Sequence, residues 1–309
     1  MSGKFRSTLT NYAFEIAPDS VDPVADFLAP EVVTAVYTGY YKNFGDKQAY
    51  QAPTGSRRGV GQQAQRLTFD VQDSKFNLDC FGLDIPVDDQ ERKQAAQLDP
   101  ELLERQKIKY LVSSANNTHA KAVIDLAKTQ AYASAFAVDV TVTTASPLVN
   151  VDKAIEDLAN NVGKMPNRLL MNVATFNAIR NHQSVVTRLQ GVSIAGVTID
   201  MIRSMLLNPN IEILISAFVL DTKKPGAASA KSNYVGNDMY IFFCDTSPSP
   251  YDMSFMKTFR MDQRGISAVY QERDWAARSD VFMLDWYEQI LITGSALCRR
   301  LQCTLPSGF

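Results

Sequence analysis

A single helical pattern runs from Asp99 to about Ala133, and the other segments must be arranged around a rod of that length. Leu103, Tyr110, Leu111, Ala115, Ala122, Val123 and Leu126 recur at three, four or seven residues, the spacing of one helical face. Asp99 suits the N-cap, Pro100 the first helical position, and Glu101 and Glu104 the amino end of the helix dipole. At ~1.5 Å per residue the rod is roughly 50 Å long. Ser113 to Thr118 is its weak middle, made of poor helix formers, and a kink there would come as no surprise.

Ahead of the rod lies a segment of different character. Lys47 to Phe69 is glycine-rich and polar and carries Lys47, Arg57, Arg58 and Arg66 without one acid, a local excess that the chain's net charge of -2 conceals. Leu67-Thr68-Phe69-Asp70-Val71 and Phe76-Asn77-Leu78-Asp79-Cys80 both alternate with period two. Together these features describe an extended hairpin limb. An isolated two-stranded hairpin is marginal in water, so the limb needs a neighbour. The sign then reverses at Asp84, Asp88, Asp89 and Glu91. The two patches pair within one chain or between copies, or the acids simply form a solvated face. Upstream, Met1 to about Gly45 is punctuated by Pro18, Pro23 and Pro30 but rich in aromatics (Phe5, Tyr12, Phe14, Phe27, Tyr37, Tyr40, Tyr41, Phe44). A disordered tail is depleted in such residues. Either this arm lays its rings on another surface, or it is an irregular strand and short helix packed on its own core.

Beyond the rod, Phe136 to Thr143 reads as a strand ended by Pro147. Asn150 can cap a helix with Val151, Ile155, Leu158 and Val162 on one face, stopped by Gly163. Pro166-Asn167-Arg168 leads the apolar strand Leu169-Leu170-Met171, and Ala174 to Asn181 is helical. Ile211 to Ile215 and Met239 to Phe243 are strands separated by a loop-like Lys223 to Asn237. Strands return at Ile266 to Tyr270, Val281 to Leu284 and Gln289 to Thr293, and the chain closes with Ala296 to Thr304.

The chemical inventory is thin. His119 and His182 are the two histidines, and neither Cys nor His stands at i+3 or i+4 from His119, where a zinc site needs several ligands close together. Packing roles are expected for both. Cys80, Cys244, Cys298 and Cys303 are sparse and irregularly spaced, as in a protein folded in a reducing compartment. Gly59-Val60-Gly61-Gln62-Gln63-Ala64 spells a dinucleotide fingerprint but follows a polar loop where a buried strand is required. Gly191 to Gly196 has phosphate-loop spacing with Val197 in place of the lysine. No catalytic constellation emerges, so no enzyme activity, metal or cofactor is expected. With 46% hydrophobic and 21% charged residues the chain can bury a core without disulfide or metal staples. Its near-neutral charge argues against a dedicated nucleic-acid binder. No apolar run approaches the ~20 residues of a membrane helix. Met1 to Asn11 lacks the apolar stretch of a signal peptide, so folding inside the cell is expected.

The order of these parts resembles the tailed-bacteriophage major capsid (coat) proteins of Hong Kong 97-type fold. Asp84-Ile85-Pro86-Val87-Asp88-Asp89-Gln90-Glu91-Arg92 resembles the acidic turn that they carry between limb and spine helix. Pro166 to Met171 with Phe176 to His182 resembles the strand and helix of their axial domain. Gln271-Glu272-Arg273-Asp274 with Arg278-Ser279-Asp280-Val281 resembles the late strands of their peripheral domain. The resemblance implies an α+β fold with an N-terminal arm (1–45), an extended hairpin limb or E-loop (46–95), a peripheral domain with the spine helix (96–147 and 256–309) and an axial α/β domain (148–255). It implies self-assembly into pentamers and hexamers of an icosahedral shell around double-stranded DNA, which the near-neutral chain would touch weakly. It also implies a separate scaffolding protein, a portal protein and decoration proteins as partners. The protein would reside in the virion, after assembly in the host cytoplasm. Lys47, Arg57, Arg58, Arg66, Asp84, Asp88, Asp89 and Glu91 are the expected inter-subunit contacts. A cellular encapsulating shell of the same fold, a cytosolic α/β enzyme and another phage structural protein remain as alternatives.

Overall fold

The computed structural model describes residues 4–20, 23–43, 57–61, 63, 72–95, 100–132, 135–142, 146–189, 196–221, 223, 228–261 and 269–306. The first part of the chain forms β1 (Lys4–Phe5), α1 (Ser7–Ser20), α2 (Pro23–Leu28), β2 (Glu31–Thr34), β3 (Thr38–Asn43), β4 (Gln72–Asn77) and β5 (Asp79–Asp88). α3 (Asp89–Ala95) and α4 (Pro100–Thr129) follow. Next come β6 (Ala135–Asp139), α5 (Pro147–Val162), β7 (Arg168–Asn172), α6 (Val173–Arg180), α7 (Gln183–Arg188) and α8 (Ile199–Met205). The last part holds β8 (Glu212–Ser216), β9 (Val219–Asp221), β10 (Lys231–Asn233), β11 (Met239–Phe242), β12 (Met256–Met261), β13 (Val269–Asp274), β14 (Ser279–Ile292) and β15 (Cys298–Thr304).

Two sheets organise these elements. In the six-stranded sheet β14 is central, with β5 antiparallel along one side of residues 279–288. Its other side takes β13 on residues 279–284 and β12 on residues 288–292. β1 extends the sheet beyond β13, and β2 runs parallel to β12. The five-stranded sheet has the order β6-β15-β11-β7-β8. Its middle strands are covered on both faces, which explains their continuous apolar runs. Leu169, Met171, Met239 and Ile241 face a core built with α5, α6, α7 and α8, while Leu170, Tyr240 and Phe242 face α2 and α4.

α4 is 30 residues long, about 45 Å at ~1.5 Å per residue, and it serves both sheets. Ile108, Leu111, Val112 and Ala115 pack with Phe282, Leu284 and Trp286 over the six-stranded sheet. Ala120, Val123, Ile124 and Ala127 pack with Tyr240 and Phe242 of the five-stranded sheet. The helix is unbroken through Ser113–Thr118, where the Thr118 hydroxyl donates to the Ser114 carbonyl at 2.8 Å.

Several sequence expectations need correction. Tyr110 is 68% exposed and Ala122 is exposed, because the buried stripe passes through Ile108, Asn116 and His119 instead. Pro147 starts α5 at its first turn after Ser146, three residues ahead of the expected cap at Asn150; Gly163 does end it, with φ 66°. The strands at 135–139 and 298–304, expected with the spine helix in the peripheral domain, hydrogen-bond into the five-stranded sheet. Of the two readings left open for the first segment, packing on its own core holds for Val24, Ala25, Phe27 and Leu28, while Val33, Val36, Tyr37 and Tyr40 are exposed. β14 is one continuous strand of 14 residues where two short ones were expected. Leu67 to Val71 lies outside the described residues, and the strand that pairs with β4 is β3.

The root of the β3–β4 ribbon is fastened by aromatic packing. Phe76 stacks on Phe259 with ring centroids 4.6 Å apart, Tyr41 leans on Phe259 at 5.6 Å, and Val32 and Leu78 close the cluster. Gly39 lies directly beneath the Phe76 ring, where an added Cβ would fall 2.5 Å from Cζ. The ring has no room to withdraw, since Phe76 and Phe259 are both buried. Gly39→Ala is therefore expected to destabilise the fold by about 1–3 kcal/mol, the usual penalty of overpacking. Thermal melts decide this: a variant that melts with the wild type means that the ring moves aside freely.

Candidate functional site

The polar groups flagged by the sequence have structural employment. His182 caps α7, its Nδ1 accepting from the Ser184 amide, while its Nε2 lies 3.1 Å from the Val142 carbonyl oxygen. Cys298 and Cys303 sit on β15, and burial pushes both thiols up, Cys303 to about 12. Among the described residues, no three His, Cys, Asp or Glu side chains are grouped as metal ligands.

The remaining candidate is a contact surface, and its acidic parts meet where β5 turns through α3 into α4. Asp84 and Asp88 are exposed on β5, with Asp88 accepting from the Gln90 amide at 2.6 Å. Asp89 opens α3 and receives Arg273 of β13 through both carboxylate oxygens, at 2.7 and 2.6 Å. Arg273 also reaches Asp280 at 3.2 Å; Asp280 binds Arg92, and Arg92 reaches Glu104 of α4 at 2.9 Å. Glu91 pairs with Lys107 at 3.0 Å. Asp89 and Glu91 thus find cations within their own chain, and the result is a network tying limb root, sheet and spine helix together. A network with a bidentate arginine holds geometry better than isolated surface pairs, which contribute ~0–1 kcal/mol each. Its hydrogen bond to Arg273 holds the Asp89 carboxyl below the usual range. Burial works to raise that of Asp280, and Arg92 with Arg273 outweighs it.

The basic half of the expected surface is placed less fully. Arg57 and Arg58 are exposed in an irregular stretch, and Lys47 and Arg66 lie outside the described residues. Sequence reasoning did not single out Arg92, Glu104, Arg273 and Asp280 as a set. Nothing in the local charge pattern joins position 89 to position 273; the pairings of β5 and β13 on either side of β14 bring them together.

A cleft of about 340 Å³ opens beside α4, lined by Asp79 and Phe81 of β5, Thr118, Ala122 and Leu126 of α4, and Glu288 to Ile290 of β14. It continues along the helix past Lys121, Asp125 and Thr129. The floor is apolar; Asp79 stands at its margin, and Asp125 is paired with Lys121 at 2.7 Å and accepts from the Tyr234 hydroxyl.

No family model and no curated protein sequence matches the chain. Solved structures do. A phage-related protein from Bordetella bronchiseptica RB50 matches over 98% of both chains with a TM-score of 0.72 and 18% identity. The putative capsid protein of a prophage of Escherichia coli CFT073 matches over 98% of this chain and 100% of its own, with a TM-score of 0.56 and 9% identity. This chain has the Hong Kong 97-type capsid fold. The capsid of cyanophage P-SCSP1u shares it over 93% of this chain and 89% of its own, with a TM-score of 0.55 and 11% identity. Within the Hong Kong 97-type fold, α4 is the spine helix, and the charge network fixes its amino-terminal half to the root of the limb. No helix among the described residues is long and apolar enough to cross a membrane.

Proposed function

We propose that this protein is a major capsid protein that assembles, as pentamers and hexamers, into the icosahedral shell of a tailed phage around double-stranded DNA. The observation that carries this reading is the fold match over 98% of both chains to a phage-related protein, joined by a prophage capsid protein at 98% and 100% coverage. The role is structural, not catalytic. The six-stranded sheet with α4 forms the peripheral domain and the five-stranded sheet the axial one, the latter including 135–139 and 298–304. The limb rooted at β3 and β4 reaches a second copy and settles over the cleft beside α4, where its Lys47, Arg57, Arg58 and Arg66 meet acids such as Asp79. A scaffolding protein, a portal protein and decoration proteins complete the head, which is put together in the host cytoplasm. With a net charge of -2 the shell holds its DNA weakly.

Negative-stain electron microscopy of the purified protein tests this. Uniform closed particles are expected, and a protein that stays monomeric at every concentration overturns the proposal. The second reading, a cellular shell holding cargo, is favoured by the match to an encapsulin complex from Synechococcus elongatus. Protein instead of nucleic acid inside the particles would select it.

A further inference from the structure

β5 is an edge strand of the six-stranded sheet, hydrogen-bonded to β14 on one side only. The ladder tells which of its backbone groups face the other side. The Asp89 amide donates at 3.2 Å to the carbonyl of Arg278, directly opposite, and the register runs on from there through Val87 opposite Asp280 to Asp79 opposite Glu288. In an antiparallel ladder, hydrogen-bonded pairs alternate with pairs that are not bonded. The odd-numbered residues of β5 are therefore spent on β14, and the even-numbered ones turn their N–H and C=O groups away from it. Pro86, which has no N–H to give, stands at an even position, as this parity requires. Cys80, Gly82 and Asp84 thus present their amides and, with Pro86, their carbonyls along one line. All four residues are exposed, and no strand among the described residues lies beside them. Open edges of this kind template pairing with another chain and are normally covered or guarded by charge. Here the guard is acidic: Asp79 and Asp84 are exposed and make no ion pair among the described residues.

We propose that an extended stretch of the limb Lys47–Phe69 from a second copy lies along Cys80–Pro86 and adds a seventh strand to the six-stranded sheet. This rests on the shell reading above and names the bonds that hold the limb in it. In strand addition the main-chain hydrogen bonds supply the affinity. Charge selects the occupant. A second β5 on this edge would set acid beside acid, and like charges directly opposite one another destabilise a strand pair. The limb brings Lys47, Arg57, Arg58 and Arg66 without one acid, so the same two aspartates that repel another β5 attract it. Asp79 and Phe81 of this strand also line the cleft beside α4, so a limb on the edge meets the cleft as well. Pro86 closes the seat at one end, where no amide is on offer.

Residue-resolved amide exchange on wild-type particles and on unassembled wild-type subunits reads the edge directly. On assembly the amides of Cys80, Gly82 and Asp84 are expected to slow by roughly tenfold or more. Those of Phe81, Leu83 and Ile85, already bonded to β14, should change little. Particles in which the even-numbered amides exchange as fast as in the free subunit overturn the seat and leave the shell standing; a protein that never forms particles removes both. Cys80→Pro deletes one outward amide without touching the bonds to β14. It should keep the wild-type circular dichroism while its particle yield falls by about tenfold, whereas Cys80→Ser, which keeps the amide, should assemble normally. A folded Cys80→Pro protein with full particle yield contradicts the proposal. Cys80 is an exposed free thiol and so identifies the occupant. Cysteines introduced singly at each of positions 54–66 should, at one or more of them, form a disulfide to Cys80 of another copy on mild oxidation, because strand pairing brings the two chains within bonding reach. The Cys80→Ser background should lose it. Slowed amides with no such bond at any position mean that a different strand fills the edge, and the limb is not its occupant.

Discussion

Reversing Arg57 and Arg58 to glutamate is expected to abolish closed particles while leaving a folded, soluble subunit. Both side chains are exposed, outside the two sheets and the spine helix, so the variant should still fold. The effect falls on association. One surface ion pair contributes only ~0–1 kcal/mol. Reversal, however, replaces attractions by repulsions against acids such as Asp79, at every limb in the shell. A shell multiplies weak contacts, because each copy is held at several places at once. A modest loss per limb therefore becomes a drop in particle yield of more than about tenfold. Particle counts by electron microscopy, with circular dichroism on the soluble fraction, check both halves of the expectation. Normal shells from the double variant show that the limb's charge does not set its seating.

The second large effect is expected at Lys257. This lysine is wholly buried on β12, and its ammonium is enclosed by Oδ1 of Asp252 at 2.8 Å and the carbonyl oxygens of Ser249 and Asp252 at 2.8 and 2.7 Å. All three N–H bonds are used. Burial alone would raise the Asp252 carboxyl, but Lys257, the Ser254 hydroxyl and the Ser249 amide more than offset it and keep it ionised. Lys257→Met leaves that carboxylate buried without its cation, a loss of about 3–5 kcal/mol. Total stabilities run to only about 5–15 kcal/mol, so the variant should melt far below the wild type or fail to accumulate. Adding Asp252→Asn should recover part of the loss, since the stranded charge goes with it. A Lys257→Met protein as stable as the wild type means that the loop between β11 and β12 rearranges to hydrate Asp252.

These two sites differ in how far the sequence announces them. The basic limb is written in consecutive residues, and the spine helix in its caps and period. The Leu169-Leu170-Met171 run and Met239–Phe242 read as strands because both of their faces are covered. What the sequence hides is polarity placed in the interior. Lys257 and Arg260 break the apolar signal of β12, so that no strand pattern shows in its residues. Asp285 and Glu288 divide β14 into two apparent pieces, although the first points outward and the second is paired. Asn116 and His119 belong to the buried stripe of α4, and an apolar filter skips both, drawing Tyr110 and Ala122 into their place. The network around Arg273 joins residues 184 positions apart, a relation set by strand pairing and invisible to any local pattern.

A single helix crossing both sheets leaves this molecule few ways to change shape. Each half of α4 is committed to a different sheet, so the two cannot slide or twist past one another as free bodies. Any relative displacement must bend the shared axle, strip one of its ends from its seat, or be absorbed at its waist. A neighbour pressing on the limb root therefore pushes, through Arg92 and Glu104, on the same beam that carries the five-stranded sheet at its far end. Load applied at one corner of the subunit is delivered to the other along this helix and through Met256, Ile290 and Ile292, which pack in the core that its second half shares with the five-stranded sheet.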